Sequence, residues 1–303
     1  MFIVGPTAAG KTGIAVKLAE KIDAEVVSAD SMQVYKCLNI GTAKPSPSEL
    51  GKIKYHLIDI KSINEEYNAG IFVESALKCI KKILVKKKNV IVAGGTGLYV
   101  RGLLYGLKET CPGDKDFRGK AELKDAKELY EELKSADPEA AESIGPHNRR
   151  RIIRALEVYY VSGKKFSEKG NWDTTKEPEI FGRRCVVFGL DTDRAGLYRR
   201  IEERVDKMVK AGLAGEAEKV IKSPDFKYST AVQAIGYKEF IPCFEGSVTL
   251  EEAIEALKKN TRNFAKRQLT WFRKEKGIVW IKVDDVAEEE VVERILEKTE
   301  KDK

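Results

Sequence analysis

Apolar residues fall along this chain in two rhythms. Short runs, Phe2-Ile3-Val4, Ala24-Glu25-Val26-Val27-Ser28 and Asn89-Val90-Ile91-Val92-Ala93, have the length and β-branched content of buried strands. Between them Ile14, Leu18 and Ala19 recur at helical spacing, and residues 69–87 carry a second helical pattern. Strand, glycine turn, helix, strand, helix, strand predicts a parallel sheet covered by helices.

The rhythm changes near Cys111-Pro112-Gly113. From there to about Phe181 the chain is charged and helical in pattern, with one helix expected from Ala121 to Leu133 and another from Arg149 to Val161. Val186-Val187-Phe188-Gly189-Leu190 is again a buried-strand run, so residues 113–181 read as a helical insertion in an α/β core formed by 1–112 and 182–303. Near the C-terminus, Thr249 and Glu252 have the spacing of a capping box. A long helix is expected after them, its inner face formed by Ile254, Leu257, Thr261, Phe264 and Leu269, ending at Gly277. Ile278 to Val283 reads as a last strand, and the Glu-rich tail after Ala287 as a surface helix.

Composition narrows the class. The 303 residues are 42% hydrophobic and 34% charged, the balance of a globular protein. No run approaches the roughly 20 apolar residues of a membrane span, and no leader pattern precedes Phe2, so a cytoplasmic protein is expected. Five scattered cysteines (Cys37, Cys79, Cys111, Cys185, Cys243) and two histidines (His56, His147) make a poor zinc set. The net charge of +7 matters less than its clustering at Arg149-Arg150-Arg151 with Arg154, and again from Lys258 to Lys276. Either cluster is compatible with an ordinary solvated helix face.

The sharpest chemical signal is Gly5-Pro6-Thr7-Ala8-Ala9-Gly10-Lys11-Thr12, which fits G-x-x-x-x-G-K-[ST] at every position, between a strand and a helix. Its glycines let backbone N–H groups turn toward phosphate oxygens, the helix start adds its positive dipole end, Lys11 a mobile charge, and Thr12 a hydroxyl suited to Mg²⁺. The loop predicts a diphosphate site without saying whose. An acid closing a neighbouring strand, usual in nucleotide hydrolases, is weakly offered by Asp59 and is missing after Val92-Ala93, where Gly94-Gly95-Thr96 follows.

Further segments carry a resemblance. Ser28-Ala29-Asp30-Ser31-Met32-Gln33-Val34-Tyr35 runs on to Ile40-Gly41-Thr42-Ala43-Lys44-Pro45; then come Gly94-Gly95-Thr96-Gly97-Leu98-Tyr99 and Arg150-Arg151-Ile152-Ile153-Arg154-Ala155-Leu156-Glu157-Val158 with Ser162-Gly163-Lys164. Arg200-Ile201-Glu202-Glu203-Arg204, Gln233-Ala234-Ile235-Gly236-Tyr237 and Lys266-Arg267-Gln268-Leu269-Thr270-Trp271-Phe272-Arg273 complete the set. With the phosphate loop, and in this order, these blocks resemble the bacterial tRNA dimethylallyltransferase (tRNA isopentenyltransferase) family.

The resemblance implies a P-loop core with a helical inserted domain, and transfer of a dimethylallyl group from its diphosphate to the exocyclic amine of the adenine just 3′ of a tRNA anticodon, with Mg²⁺. It also implies roles for Lys11 and Arg204 in holding the leaving diphosphate, for Asp30 as the carboxylate facing the amine, and for Thr96 in aligning the two. Contacts with tRNA are implied at Asp30, Ser31, Met32, Gln33 and Thr96, at Arg118, Arg150, Arg151 and Arg154 of the insertion, at Gln233, Gly236, Tyr237 and Lys238, and at Lys266, Arg267, Gln268, Thr270 and Arg273. The protein is expected to act as a monomer.

From the residues alone, Asp30 reads as a turn-capping acid, Thr96 as a turn hydroxyl, and Arg204 as a surface charge. Trp271 and Phe272 read as core rather than stacking platforms. Three alternatives stay open on sequence: prenylation of free AMP or ATP, a small-molecule kinase, and a nucleic-acid-binding ATPase.

Overall fold

The computed structural model of the chain describes residues 1–107, 112–169, 172, 177–226 and 229–301. In chain order the strands are β1 (Phe2–Val4), β2 (Ala24–Ser28), β3 (Tyr55–His56), β4 (Asn89–Gly94), β5 (Glu179–Ile180), β6 (Arg183–Arg184), β7 (Val187–Asp191) and β8 (Ile278–Lys282). The helices are α1 (Lys11–Ile22), α2 (Pro47–Lys52), α3 (Ala69–Val85), α4 (Gly97–Tyr105), α5 (Lys115–Glu122), α6 (Ala126–Ala136), α7 (Pro138–Ile144), α8 (Arg149–Ser162), α9 (Arg194–Lys210), α10 (Leu213–Ile221), α11 (Ile241–Phe244), α12 (Leu250–Phe272) and α13 (Glu288–Lys301). The chain divides into two compact units, Met1–Gly106 with Thr174–Lys303, and Leu107–Asp173.

The first unit is built on a six-stranded sheet of order β3-β2-β4-β1-β7-β8, every neighbouring pair parallel. Both faces are covered, which is why its strands read as unbroken apolar runs. Alternation still decides which face each residue serves. Phe2, Val4, Val27, Val92 and Val187 enter the core shared with α3, α4 and α12; Ile3, Val26, Ile91 and Phe188 enter the one under α1 and α13. Ile3 is wholly buried, and burial of such a side chain is worth about 1.5–3 kcal/mol, so Ile3→Asp would break the sheet at its centre.

Register places the chemistry. Val4 pairs with Gly94 and Ser28 with Ala93, so the chain leaves β1, β4 and β2 at one level. The phosphate loop, Gly95-Thr96 and Ala29-Asp30 therefore emerge side by side, at the carboxyl edge where open α/β sheets bind ligands. The approach is close: a Cβ on Gly94 would lie 2.2 Å from the Ala29 carbonyl oxygen.

Several elements differ from the hydropathy reading. The helix expected from Ala121 to Leu133 is two helices, because the Asp125 side chain accepts from the Glu128 N–H at 2.8 Å and starts α6 afresh. The buried row of α12 is Ala253, Leu257, Ala265, Gln268 and Phe272, while Phe264 lies only partly buried; the helix ends at Phe272 rather than at Gly277. In α13, Val291, Val292 and Ile295 are buried in the core that α1 shares, with Lys17 and Lys21 paired to its glutamates. Residues 179–184 form an antiparallel pair within the first unit; strands of two residues leave no periodic trace. The Cys111 thiol lies outside the described residues.

The second unit holds α5 to α8 around Leu129, Leu133, Ala140, Ile152, Ile153 and Leu156. A fully buried acid, Glu157, sits in α8. Among the described residues, no helix is long and apolar enough to cross a membrane.

Candidate active site

The phosphate loop turns through left-handed backbone at Ala8 (φ 63°) and Gly10 (φ 83°). Gly5 is needed on two counts, a φ of 150° and an added Cβ that would meet the Leu190 carbonyl oxygen at 3.2 Å. Ala8 has no such freedom, and a non-glycine residue held there costs about 1–2 kcal/mol. Arg200 helps hold it, its Nε donating to the Ala8 carbonyl at 3.2 Å while its terminal nitrogen reaches Thr192 and Asp284. No side chain caps α1. Among the described residues, the N–H groups of Ala8, Gly10, Lys11 and Thr12 find no acceptor, as expected of a helix start built for an anion.

Two cations close on this nest. Lys11 donates from Nζ to the Pro6 carbonyl at 2.6 Å, and Arg204 of α9 donates to the Thr7 hydroxyl at 3.2 Å. Burial pushes the Lys11 ammonium down to about 7, with the Arg204 charge pushing the same way and Asp30 opposing. Arg204 is likewise lowered by burial and supported by Asp30, then Glu49. Asp30 thus faces two positive groups. The loop is short of negative charge.

Asp30 also forms a turn: its Oδ1 accepts from the Met32 and Gln33 N–H groups at 2.8 and 3.2 Å. Among the described residues its Oδ2 carries no hydrogen bond, so the capping role leaves one oxygen available. Thr96 accepts from the Ser31 N–H at 3.2 Å and donates its own N–H to the Ala29 carbonyl at 3.2 Å, tying the β4 and β2 exits together. Beneath them Phe72 and Tyr99 stack at 4.4 Å, with Tyr67 edge-on to Tyr99 at 6.2 Å.

Residues assigned to tRNA by resemblance divide into exposed and spent. Arg150, Arg151, Gln233, Lys266, Arg267, Thr270 and Arg273 are exposed, and Arg273 meets Asp191 at 3.2 Å. Met32 and Lys238 are partly buried. Gln33 has its amide engaged inside the protein, donating to the Thr42 and Ala43 carbonyls at 3.2 and 3.3 Å and accepting from the Ser28 hydroxyl at 3.2 Å. It shapes the loop rather than offering a free edge to a base. Tyr237 is wholly buried, its hydroxyl donating to Glu216 at 2.6 Å, and Gly236 lies buried against Gly41. Gln268 is 7% exposed and bonded at both ends of its amide. These three reach no outside partner. In the second unit, Arg118 binds both oxygens of buried Glu157 at 2.8 and 3.0 Å and Arg154 joins it, so both guanidiniums serve that acid.

Asp59 is no metal acid for the loop. It leaves β3 at the sheet edge, with β2 and β4 between it and β1, and pairs with Lys44. Phe272 is core, and Trp271 packs against the core with Arg101 over its ring at 4.3 Å.

The roles of three residues escaped sequence reasoning. Glu216 gathers the N–H groups of Asn39, Ile40 and Gly41, at 2.8 Å to Ile40, and fixes the loop beyond Asp30. Arg200 and Gln268 brace the phosphate loop. Each acts on a partner 170 or more residues away, so nothing local could have flagged it. A cavity of about 590 Å³ lies between the ends of β7 and β8 and helices α9 and α12. It includes neither Lys11, Asp30 nor Thr96, so the charge pattern rather than the cavity locates the site.

A parallel sheet with a glycine loop at its carboxyl edge, partly buried cations and an adjoining carboxylate defines a P-loop-like protein. The IPP transferase family model matches residues 33–275, and the chain belongs to that family. It is 44% identical over 301 residues to the tRNA dimethylallyltransferase of Carboxydothermus hydrogenoformans, covering 98% of this chain and 96% of that one. It is 44% identical over 291 residues to that of Geobacillus kaustophilus, covering 94% and 91%. The tRNA isopentenylpyrophosphate transferase of Bacillus halodurans superposes with a TM-score of 0.72 at 39% identity, covering 99% and 96%. A eukaryotic dimethylallyltransferase acting on tRNA gives 0.75 at 31%, covering 94% of this chain and 73% of that one.

Proposed function

We propose that this enzyme transfers the dimethylallyl group of dimethylallyl diphosphate to the exocyclic amine of the adenine 3′-adjacent to a tRNA anticodon, releasing diphosphate. The observation that carries the reading is the charge imbalance at the loop: Lys11 and Arg204 lie partly buried beside unpaired N–H groups, with Asp30 acting on both and Glu49 on Arg204. A leaving diphosphate supplies the missing negative charge. As the allylic carbon–oxygen bond breaks, its electrons pass to the diphosphate oxygen, where preorganised donors stabilise them most. The amine nitrogen gives its lone pair to the allylic carbon. Asp30 orients the amine through Oδ2 and takes the proton that the nitrogen sheds as the bond forms, then releases it to water.

Mg²⁺ fits as a companion of the substrate. Among the described residues no cluster of three or more acids, histidines or cysteines could cage a metal, whereas Mg²⁺ commonly sits on phosphate oxygens, waters and one protein hydroxyl. Thr12 would supply that hydroxyl, and the ion would neutralise charge on the leaving group. The exposed residues Arg150, Arg151, Lys266, Arg267, Thr270 and Arg273 are proposed to meet the tRNA, Arg150 and Arg151 on the insertion, with Ser31, Met32, Gln233 and Lys238 contributing. The enzyme is taken to work as a cytoplasmic monomer.

The deciding experiment incubates the protein with labelled dimethylallyl diphosphate and either tRNA or AMP, followed by nucleoside mass analysis. Label on a tRNA adenine is expected. Label on AMP alone, or on neither, sinks the reading.

A further inference from the structure

We infer that Gln268 is a positioning residue of the transfer site: its carboxamide clamps the phosphate loop to the β4–α4 turn and so fixes the gap between leaving diphosphate and attacking amine. The inference rests on the transfer reading above and goes beyond it by giving a mechanical role to a residue whose amide is bonded at both ends within the protein.

The geometry is specific. Gln268 lies on the buried row of α12, 7% exposed, where hydrophobic residues would otherwise stand. Its Oε1 accepts the Thr7 N–H at 2.8 Å, and its Nε2 donates to the Gly95 carbonyl at 2.9 Å. The two partners belong to opposite halves of the site. Thr7 carries the hydroxyl that receives Arg204. Gly95 precedes Thr96, whose hydroxyl receives the Ser31 N–H next to Asp30. One rigid amide therefore spans the cleft between the β1 and β4 exits, bonded on the diphosphate side and on the amine side. The space is kept for it: an added Cβ on Gly95 would lie 2.2 Å from Nε2.

The Thr7 N–H gains a further meaning. Like the Ala9 N–H, which bonds the Pro6 carbonyl at 3.4 Å, it is turned away from the anion nest, and turning it toward Gln268 aims the Thr7 hydroxyl at Arg204. Without the clamp the loop can still bind diphosphate through its remaining N–H groups, but Arg204 and the Asp30–Thr96 turn lose their common reference. In-line displacement is sensitive to such spacing, and a misplacement of about 1 Å costs on the order of 10²-fold in rate.

The test uses Gln268→Met, which fills the same volume without hydrogen-bonding groups, with Gln268→Leu as a second folded variant. Each is measured for kcat, KM for dimethylallyl diphosphate, and tRNA dissociation constant. We expect kcat to fall on the order of 10²-fold, with KM and tRNA affinity near wild type. Combined with Arg204→Met, the loss should be smaller than the product of the two single losses, since both act through Thr7. Wild-type kcat, a loss confined to tRNA affinity, multiplicative effects with Arg204→Met, or failure of both variants to fold would each overturn the inference. If wild-type protein itself transfers nothing to tRNA, the transfer reading fails instead.

Discussion

The phosphate loop and helix α8 both gather arginine or lysine around a carboxylate, yet only one is short of negative charge. At the loop, Lys11 and Arg204 face Asp30 and a nest of unpaired N–H groups, and burial weakens the hold of Lys11 on its proton. In α8 the acid is the buried member: Glu157 takes Arg118 through two bonds, Arg154 through a third and the Asp114 N–H at 2.7 Å. Those contacts hold its carboxyl below the usual range although burial alone would raise it. One cluster is complete in itself and the other awaits an anion. Basic residues become informative once their partners are known, and an incomplete set marks a binding site better than a dense one.

The largest predicted effect separates the two roles of Asp30. Asp30→Asn keeps an oxygen for the Met32 and Gln33 N–H groups but removes the base. Turnover should fall by about 10²–10⁴-fold, with diphosphate affinity retained, as measured by single-turnover transfer and calorimetry. Retained turnover would remove Asp30 from the chemistry.

Stability then probes the comparison with opposite signs. Glu157→Ala removes the acid that Arg118, Arg154 and the Asp114 N–H share and should lower the melting temperature. Lys11→Met removes a cation whose folded pKa lies below its unfolded 10.5, near 7. Between those values the unfolded chain binds the extra proton, so wild-type stability rises with pH there and the penalty is full below about pH 7. Lys11→Met should therefore melt higher than wild type at neutral pH while losing transfer activity; a lower melting temperature would show that Lys11 is already compensated.

What could be read from sequence follows the same divide between local and distant causes. The strands Phe2–Val4 and Ala24–Ser28, the phosphate loop and the Thr249–Glu252 capping box each rest on neighbours in sequence, and the structure has them at the expected residues. Asp30 and Thr96 were legible as strand-end residues, and parallel register brings them together. The burial of Gln268, Tyr237 and Glu157 was not legible. A glutamine reads as surface unless its partners are known, and those of Gln268 lie 261 and 173 residues away. The inner face of α12 was drawn through Phe264 because apolar residues were counted, whereas small Ala265 and polar Gln268 hold the buried positions.

Proton linkage offers a smaller effect at the loop alone. A diphosphate restores the Lys11 charge, so binding above about pH 7 should draw a proton from solution, and affinity should fall by up to tenfold per pH unit until the bound pKa is passed. Calorimetry at about pH 8.5 in buffers of differing ionisation enthalpy measures that uptake. Lys11→Met should abolish it, and an unchanged uptake would place the titrating group elsewhere.

The smallest effect falls on the exposed arginines beside the complete cluster. Arg150 and Arg151 extend into solvent from the first turn of α8, with no partner among the described residues, unlike Arg154 one turn on. A phosphate contact by one of them contributes through counterion release, so Arg150→Ala should weaken tRNA binding at low salt and reduce the salt slope of its affinity by about one. Folding and prenyl diphosphate affinity should be untouched, because no internal bond is lost. Arg154→Ala makes the control: it damages Glu157 and should lower the melting temperature more than it alters the salt slope. If the two variants behave alike, either Arg150 carries a structural bond or Arg154 reaches the tRNA, and the line between the spent and the available arginines of α8 would have to be redrawn.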